Sequence, residues 1–257
     1  MRLGEAIAPL LPPGPAVVAL VGAGGKTRAL HLLARFFAAQ GRRVLVTTTT
    51  HMMHPDRETP PCRDFPVDLR PGLEGPRRPG VALPPSSAMG LALYSREVDA
   101  SGKVKGIHPS WVPALKASWD RVLVEADGSR RLPLKAPAEH EPVLPPDPDL
   151  VVGCVGLSAV GRPLGPEAVH RPERFSALTG CPLGAPVTLD HLAALVRHPE
   201  GLFRQAAGAR VILFNQADRL DPRVPRTPLL GLPARRTLLG SLEPEDDLID
   251  LEGSPTP

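Results

Sequence analysis

The chain has 257 residues, a formal net charge of +3, 42% apolar residues and only 4% aromatics. That is enough apolar content for a sizeable core, while scarce aromatics and dispersed arginine pairs (Arg42-Arg43, Arg77-Arg78, Arg130-Arg131, Arg235-Arg236) argue against a nucleic-acid surface. Thirty-four prolines exclude an all-helical fold, and Cys62, Cys154 and Cys181, odd in number and widely spaced, fit a reducing cytoplasm without a disulfide framework or zinc knuckle.

Residues 6–25 carry no charge, yet Pro9, Pro12, Pro13 and Pro15 break any membrane helix or signal segment there, and the stretch reads as a strand feeding a turn. Val17–Val21 is the predicted strand. It runs into Gly22-Ala23-Gly24-Gly25-Lys26-Thr27, after which Leu30, Leu33, Phe36 and Phe37 form the stripe of a helix over Thr27–Gln40, stopped by Gly41. Strand, glycine-rich turn and helix in that order make a phosphate cradle. Glycines let backbone N–H groups converge on an anion, and the helix presents its positive end. Lys26 adds charge, and the Thr27 hydroxyl is placed to ligate Mg²⁺. The longer P-loop pattern needs glycine at position 20, where Leu20 stands; the shorter G-x-x-G-K-T spacing is that of Mur-type ligases.

Val44–Thr48 is the next predicted strand, making a right-handed parallel unit with the first. Thr49, Thr50 and His51 should lie past its carboxyl end, where parallel sheets bind ligands, and are candidate substrate contacts. Residues 54–110 read as a Pro-rich insertion. Within it Leu91–Ser95 and Lys103–Ile107 are expected to form a small β-hairpin around Asp99-Ala100-Ser101-Gly102, followed by a short helix over Val112–Ser118.

Arg121–Glu125 is a second apolar strand ending in an acid, with Ala126-Asp127-Gly128 after it. An acid at this place holds Mg²⁺ in P-loop proteins, so Glu125 is the candidate metal ligand beside Thr27, and Asp127 a candidate for orienting a water or acceptor. Glu125-x-x-Gly128 also resembles the turn of metal-insertion GTPases. Residues 130–149 read as a long loop. Glu139, His140 and Glu141 are possible ligands within it, although adjacent side chains seldom all reach one ion, and spacing alone favours a solvated loop.

Leu150–Val155 is another buried strand. A weak helix is expected over Pro166–Leu178, and Thr188 is expected to cap Leu189–Val196, with Pro199–Ala207 continuing helical. Ala209–Phe214 is the next parallel strand, ending in Asn215-Gln216-Ala217-Asp218. This is N-K-x-D with glutamine for lysine, the guanine-selecting pattern of GTP-binding proteins. Arg236–Leu239 reads as a last strand with Gly240-Ser241 as a base-contacting loop, and 243–257 as a loose acidic tail.

The turn at Gly22–Thr27, Thr48-Thr49-Thr50-His51-Met52, Lys105-Gly106-Ile107, Val124–Gly128, Pro133–Pro142 and Val169–Glu173 together resemble the YqeC family. The loop from Lys135 to Pro142 is the most specific part. The resemblance implies a cytoplasmic P-loop protein that serves as an accessory factor for selenium-dependent molybdenum hydroxylases, handling a labile selenium cofactor. It also implies a molybdenum hydroxylase or selenium-handling protein as partner, and raises Lys135, Glu139 and His140 as residues reaching the γ-phosphate or a second substrate.

The expected architecture is a single α/β domain, P-loop NTPase-like, with a mostly parallel sheet flanked by helices. Three activities remain open. In the first, GTP or ATP hydrolysis with Mg²⁺ uses Gly22, Ala23, Gly24, Gly25, Lys26 and Thr27 on the phosphates, Asn215 and Asp218 on the base, and Asp127 or His140 on the attacking group. The second is an ATP-dependent ligase or kinase with Thr49, Thr50, His51 and Lys135 on an acceptor. The third is a non-catalytic, nucleotide-gated scaffold.

Overall fold

The computed structural model describes residues 1–57, 66–78, 90–243 and 246–251. Among these residues the main sheet has nine strands: β1 (Ala16–Gly22), β2 (Val44–Thr48), β3 (Val67–Leu69), β4 (Leu91–Ser95), β5 (Arg121–Glu125), β6 (Leu150–Gly156), β7 (Ala209–Asn215), β8 (Arg236–Ser241) and β9 (Asp247–Asp250). Their spatial order is β9-β8-β7-β6-β1-β5-β2-β4-β3, and every pairing is parallel except β8 with β9. The fold is therefore α/β, with a mostly parallel sheet flanked by helices.

The central strands form where the chain offers short apolar runs. All seven residues of β1 and of β6 are buried, as a strand covered on both faces requires. Alternate side chains then serve opposite layers. Val18, Leu20, Val46 and Leu123 pack with Leu30, Leu33 and Phe37 of α2 (Lys26–Ala39) on one face. Ala19, Val21, Val151 and Phe214 pack on the other with Phe175, Leu192 and Val196. A third cluster under β2 and β5 gathers Tyr94, Trp111 and Trp119.

Several local expectations change. Leu91–Ser95 is not half of a hairpin: it is β4, running parallel to β2 inside the sheet. Its residues are buried from Ala92 to Ser95, so its apolar run finds cover on both faces. The Asp99–Gly102 turn does form, but it joins Glu97–Val98 to Lys103–Lys105, and His51–Met53 completes a separate three-stranded ribbon. The segment 54–110 thus contributes β3 and β4 to the main sheet; its residues 58–65 and 79–89, with Cys62, lie outside the described residues.

The helix expected from Pro166 starts only at Pro172, as α4 (Pro172–Thr179), because Val169–His170 pairs with Leu134–Lys135 and Arg171 turns with φ +66°. Proline at the first helical position suits that start. A single helical turn, α3 (Val112–Leu115), replaces the expected Val112–Ser118, and α1 (Leu3–Ile7) precedes the prolines. Thr188 caps α5 (Leu189–Arg197) as expected, but His198 turns extended before Pro199 and the helix does not continue. The acidic tail is not all loose: β9 closes the sheet edge, with Leu248 buried and its carbonyl accepting from the Met1 amino group at 2.7 Å. Residues 252–257 lie outside the description. No helix among the described residues is long and apolar enough to cross a membrane.

Candidate functional site

The chain passes from β5 across β1 to β6, so the carboxyl ends of these strands splay where connections leave in opposite directions, the usual place for a ligand crevice. A cleft of about 730 Å³ runs along these ends. Taken along the sheet, it passes from Ser241 and Leu242 after β8, by Asn215 and Asp218 after β7, to the glycine turn after β1. It continues past Glu125 and residues 128–133 after β5 to Thr50, His51 and Lys103.

The turn needs glycine. Gly24 has φ +78° and Gly25 φ +125°, in the region where L side chains are disfavoured. A Cβ on Gly24 would overlap the Gly156 backbone, and one on Gly25 the Asn215 amide. Ala23 N–H donates to the Cys154 carbonyl at 2.9 Å, pinning the turn to β6. The first N–H groups of α2 then face the cleft with no intrahelical acceptor, and the helix dipole adds positive potential.

Two acids follow β5 and do different things. Glu125 lines the cleft, and its Oε2 accepts from the Thr27 hydroxyl at 2.8 Å. Asp127 lies beneath the turn at 1% exposure. It accepts from Gly22 N–H at 3.0 Å and pairs with Lys26 at 3.1 Å and Lys135 at 3.0 Å. Lys26 also donates to the Gly22 carbonyl at 2.6 Å. Burial works against its charge, but Asp127 and Glu125 outweigh burial and hold its pKa above the ordinary lysine value.

The charge alternation continues from Asp127 through Lys135 to Glu141 and Arg171, which line the cleft. Lys135 donates to Glu141 at 2.8 Å and to the Gly128 carbonyl at 2.8 Å. Arg171 grips Glu141 through two nitrogens, at 2.8 and 3.2 Å, the bidentate geometry that suits guanidinium and carboxylate. Burial would raise the Glu141 pKa, yet Lys135, the Ala138 N–H and Arg171 bring it down to about 2. The result is one chain of alternating charges, Lys26–Asp127–Lys135–Glu141–Arg171, joining the glycine turn to the loop of residues 133–142 and to the start of α4.

At the other end Asn215 is a brace. Its Nδ2 donates to the Gly24 carbonyl at 2.8 Å and its Oδ1 accepts from Leu242 N–H at 2.9 Å. Asp218 is exposed, and its carboxylate accepts from the Ser241 hydroxyl. Gln216, in the lysine position of the sequence pattern, accepts from Ser158 at 2.7 Å instead.

Lys26, Thr27, Glu125, Asn215, Asp218, Thr50 and His51, with Gly24 and Gly25, are thus brought to one cleft. Gly22 and Ala23 shape the turn from behind, and Asp127 and Lys135 sit below the floor, buried and paired. Thr49 turns its hydroxyl to the Val143 carbonyl at 2.6 Å. Glu139 and His140 are exposed and lie outside the cleft lining; His140 borders a shallower depression with Pro142–Pro148. Sequence reading overlooked Glu141 as the ion-pair acid of its loop and Arg171 as its partner; a charged residue amid proline-stiffened apolar sequence was the signal available. Arg130 and Arg131, treated there as a scattered pair, line the cleft.

Among the described residues no cluster of three or more His, Cys, Asp or Glu could hold a metal by itself. Thr27 and Glu125 fit a hard cation that takes only one or two protein ligands and completes its sphere with phosphate oxygens and water.

The sequence profile of the YqeC protein family matches residues 18–173, and the chain belongs to that family. Among curated proteins it is similar to the uncharacterized protein YqeC of Escherichia coli K12, 39% identical over 222 residues, covering 84% of this chain and 82% of the relative. No solved structure matches. The family match takes in the glycine turn, Glu125 and the whole ion-pair chain to Arg171, but ends before Asn215 and Asp218.

Proposed function

We propose that this is a P-loop-type protein that binds a nucleoside triphosphate with Mg²⁺ and turns it over. The observation that carries the reading is the Thr27 hydroxyl on the Glu125 carboxylate at 2.8 Å, at the N-terminus of a 14-residue helix behind a glycine turn. Residues 22–27 cradle the phosphates through backbone N–H groups. Lys26 exchanges its Gly22 carbonyl contact for a phosphate oxygen while Asp127 keeps it protonated and aimed. Thr27 and Glu125 would hold Mg²⁺, which when bound supplies charge neutralisation on the phosphate oxygens. Asn215 fixes the turn against the β8 end, and Asp218 with Ser241 faces the base of GTP or ATP. By family resemblance, the turnover serves handling of a labile selenium cofactor for molybdenum hydroxylases.

A second reading, transfer of the phosphoryl group to a small acceptor, is favoured by one feature. The cleft does not stop at Glu125 but continues to Thr50, His51 and Lys103.

Titration of fluorescent GTP and ATP analogues with Mg²⁺ tests the first reading. Charge-assisted hydrogen bonds to phosphate contribute about 1.5–3 kcal/mol, so Lys26→Ala is expected to weaken binding roughly 10–100-fold. GTP preference lost in Asp218→Ala assigns guanine; ATP preference indifferent to Asp218 assigns adenine. Equal affinity in wild type and Lys26→Ala would sink the assignment.

A further inference from the structure

Among the described residues, six other than glycine have positive φ: Arg130, Arg131, Asp147, Arg171, Gln205 and Gln216. Four of them, Arg130, Arg131, Arg171 and Gln216, line the one cleft. Backbone held in a disfavoured region concentrates where function requires it. Arg171 and Gln216 each have an evident use, since one grips Glu141 and the other accepts from Ser158. Arg130 and Arg131 have none. They are consecutive, with φ of +51° and +62°, exposed, and without a hydrogen-bond or ion-pair partner among the described residues.

Their turn is nonetheless held firmly. Lys135 donates to the Gly128 carbonyl at 2.8 Å on one side, and Gly156 N–H donates to the Pro133 carbonyl at 2.9 Å on the other. Leu132 N–H closes it on the Ser129 carbonyl at 3.0 Å. Pro133 also packs so near Gly24 that a Cβ there would touch its carbonyl oxygen. The two arginines are therefore carried on a fixed turn beside the glycine turn, exposed and lining the cleft. The surplus of positive charge is felt nearby: burial first, then Arg171, Lys135 and Arg130, depress the His170 imidazole, which also lines the cleft.

We infer that the Arg130–Arg131 turn is a second oxyanion-binding element of the cleft, distinct from the glycine turn. It takes a tetrahedral oxyanion, supplied either by the terminal phosphate of the bound nucleotide or by a phosphate-bearing second substrate. Paired guanidinium forks match such oxygens better than ammonium groups do. In its placement beside the glycine turn, this inference rests on the nucleotide reading above.

The test uses the full chain and the Arg130→Gly/Arg131→Gly variant. Glycine is at ease at these φ values, so the variant is expected to melt at the wild-type temperature or higher. Calorimetric titrations use a nucleoside diphosphate, its non-hydrolysable triphosphate, and inorganic phosphate added to the diphosphate-loaded protein. Diphosphate affinity is expected to be unchanged. A loss of roughly tenfold or more confined to the triphosphate assigns the terminal phosphate; the same loss confined to added inorganic phosphate assigns a second substrate. Arg130→Lys/Arg131→Lys is expected to recover part of either loss. Wild-type affinities for all three probes, or a variant that no longer folds, overturn the inference. If wild type binds no nucleotide, the proposed function fails by itself. Inorganic phosphate titrated into the unliganded protein then decides the subsite: binding lost in the glycine variant upholds it, and binding equal or absent in both proteins overturns it.

Discussion

Replacing Glu141 by glutamine removes the charge that joins Lys135 to Arg171 in the ion-pair chain while keeping the side chain's size. Its carboxylate takes Lys135 at 2.8 Å and both Arg171 nitrogens, and its side chain is only 10% exposed. Glutamine has one acceptor oxygen and an amide that donates, so a donor would face Lys135 or Arg171. Two routes give the cost. The pKa falls from 4.5 to about 2, which corresponds to about 3 kcal/mol of native-state stabilisation at neutral pH. Breaking one side of a buried pair costs about 3–5 kcal/mol. For a chain of this size a loss of about 3–5 kcal/mol lowers Tm by roughly 6–20 °C. The pH dependence has a definite sign. With the folded pKa depressed, the stabilisation is complete above pH 4.5 and is lost as pH falls toward about 2. Urea unfolding at pH 7 and across that acid window, on wild type and Glu141→Gln, measures both. The variant is expected to be weaker at pH 7 and to have a shallower slope in the window. A stability within roughly 0.5 kcal/mol of wild type, or an unaltered acid slope, refutes the reasoning.

Gly24→Ala puts a Cβ into the Gly156 backbone at φ +78°, and is expected to cost about 1–3 kcal/mol and to abolish phosphate binding; thermal melts and nucleotide titration check it, and a variant that binds as wild type contradicts the cradle. His170, depressed by burial and its cationic neighbours, is expected to titrate near 4 rather than 6.5 in the free protein. Because the unfolded chain takes up that proton first, stability falls as pH drops from 6.5 toward 4. A bound oxyanion that offsets the positive field should raise the value, and a proton resonance that titrates normally with and without phosphate would contradict the electrostatics.

Local patterns made much of this chain legible. Val17–Val21, Arg121–Glu125, Leu150–Val155 and Ala209–Phe214 are apolar runs too short for buried helices, and each is a strand of the main sheet. Gly22–Thr27 announces its turn because glycine and the following amphipathic stripe are neighbours in sequence. Where a segment's partner lies far away, the pattern misleads: Leu91–Ser95 reads as half of the hairpin beside it, but it pairs with β2 on one edge and β3 on the other, and the apolar residues of 247–250 find β8. His140 looked as able to reach the cleft as Glu141, since sequence does not say which way adjacent side chains of a loop point.

Sequence alone determined the central strands, the glycine turn after the first of them and an acid set against Lys26-Thr27, because these follow from short-range sterics and periodicity. Only the tertiary structure decided that Glu125 stays at the cleft while Asp127 goes beneath it. It alone decided that Lys135, Glu141 and Arg171 join Asp127 in one chain of ion pairs, and that Arg130 and Arg131 line the cleft with no partner among the described residues. Desolvation makes a buried charge tolerable only beside its opposite, so those roles are fixed by partners distant in the chain, Lys26 for Asp127 and Arg171 for Glu141, separations no local pattern records.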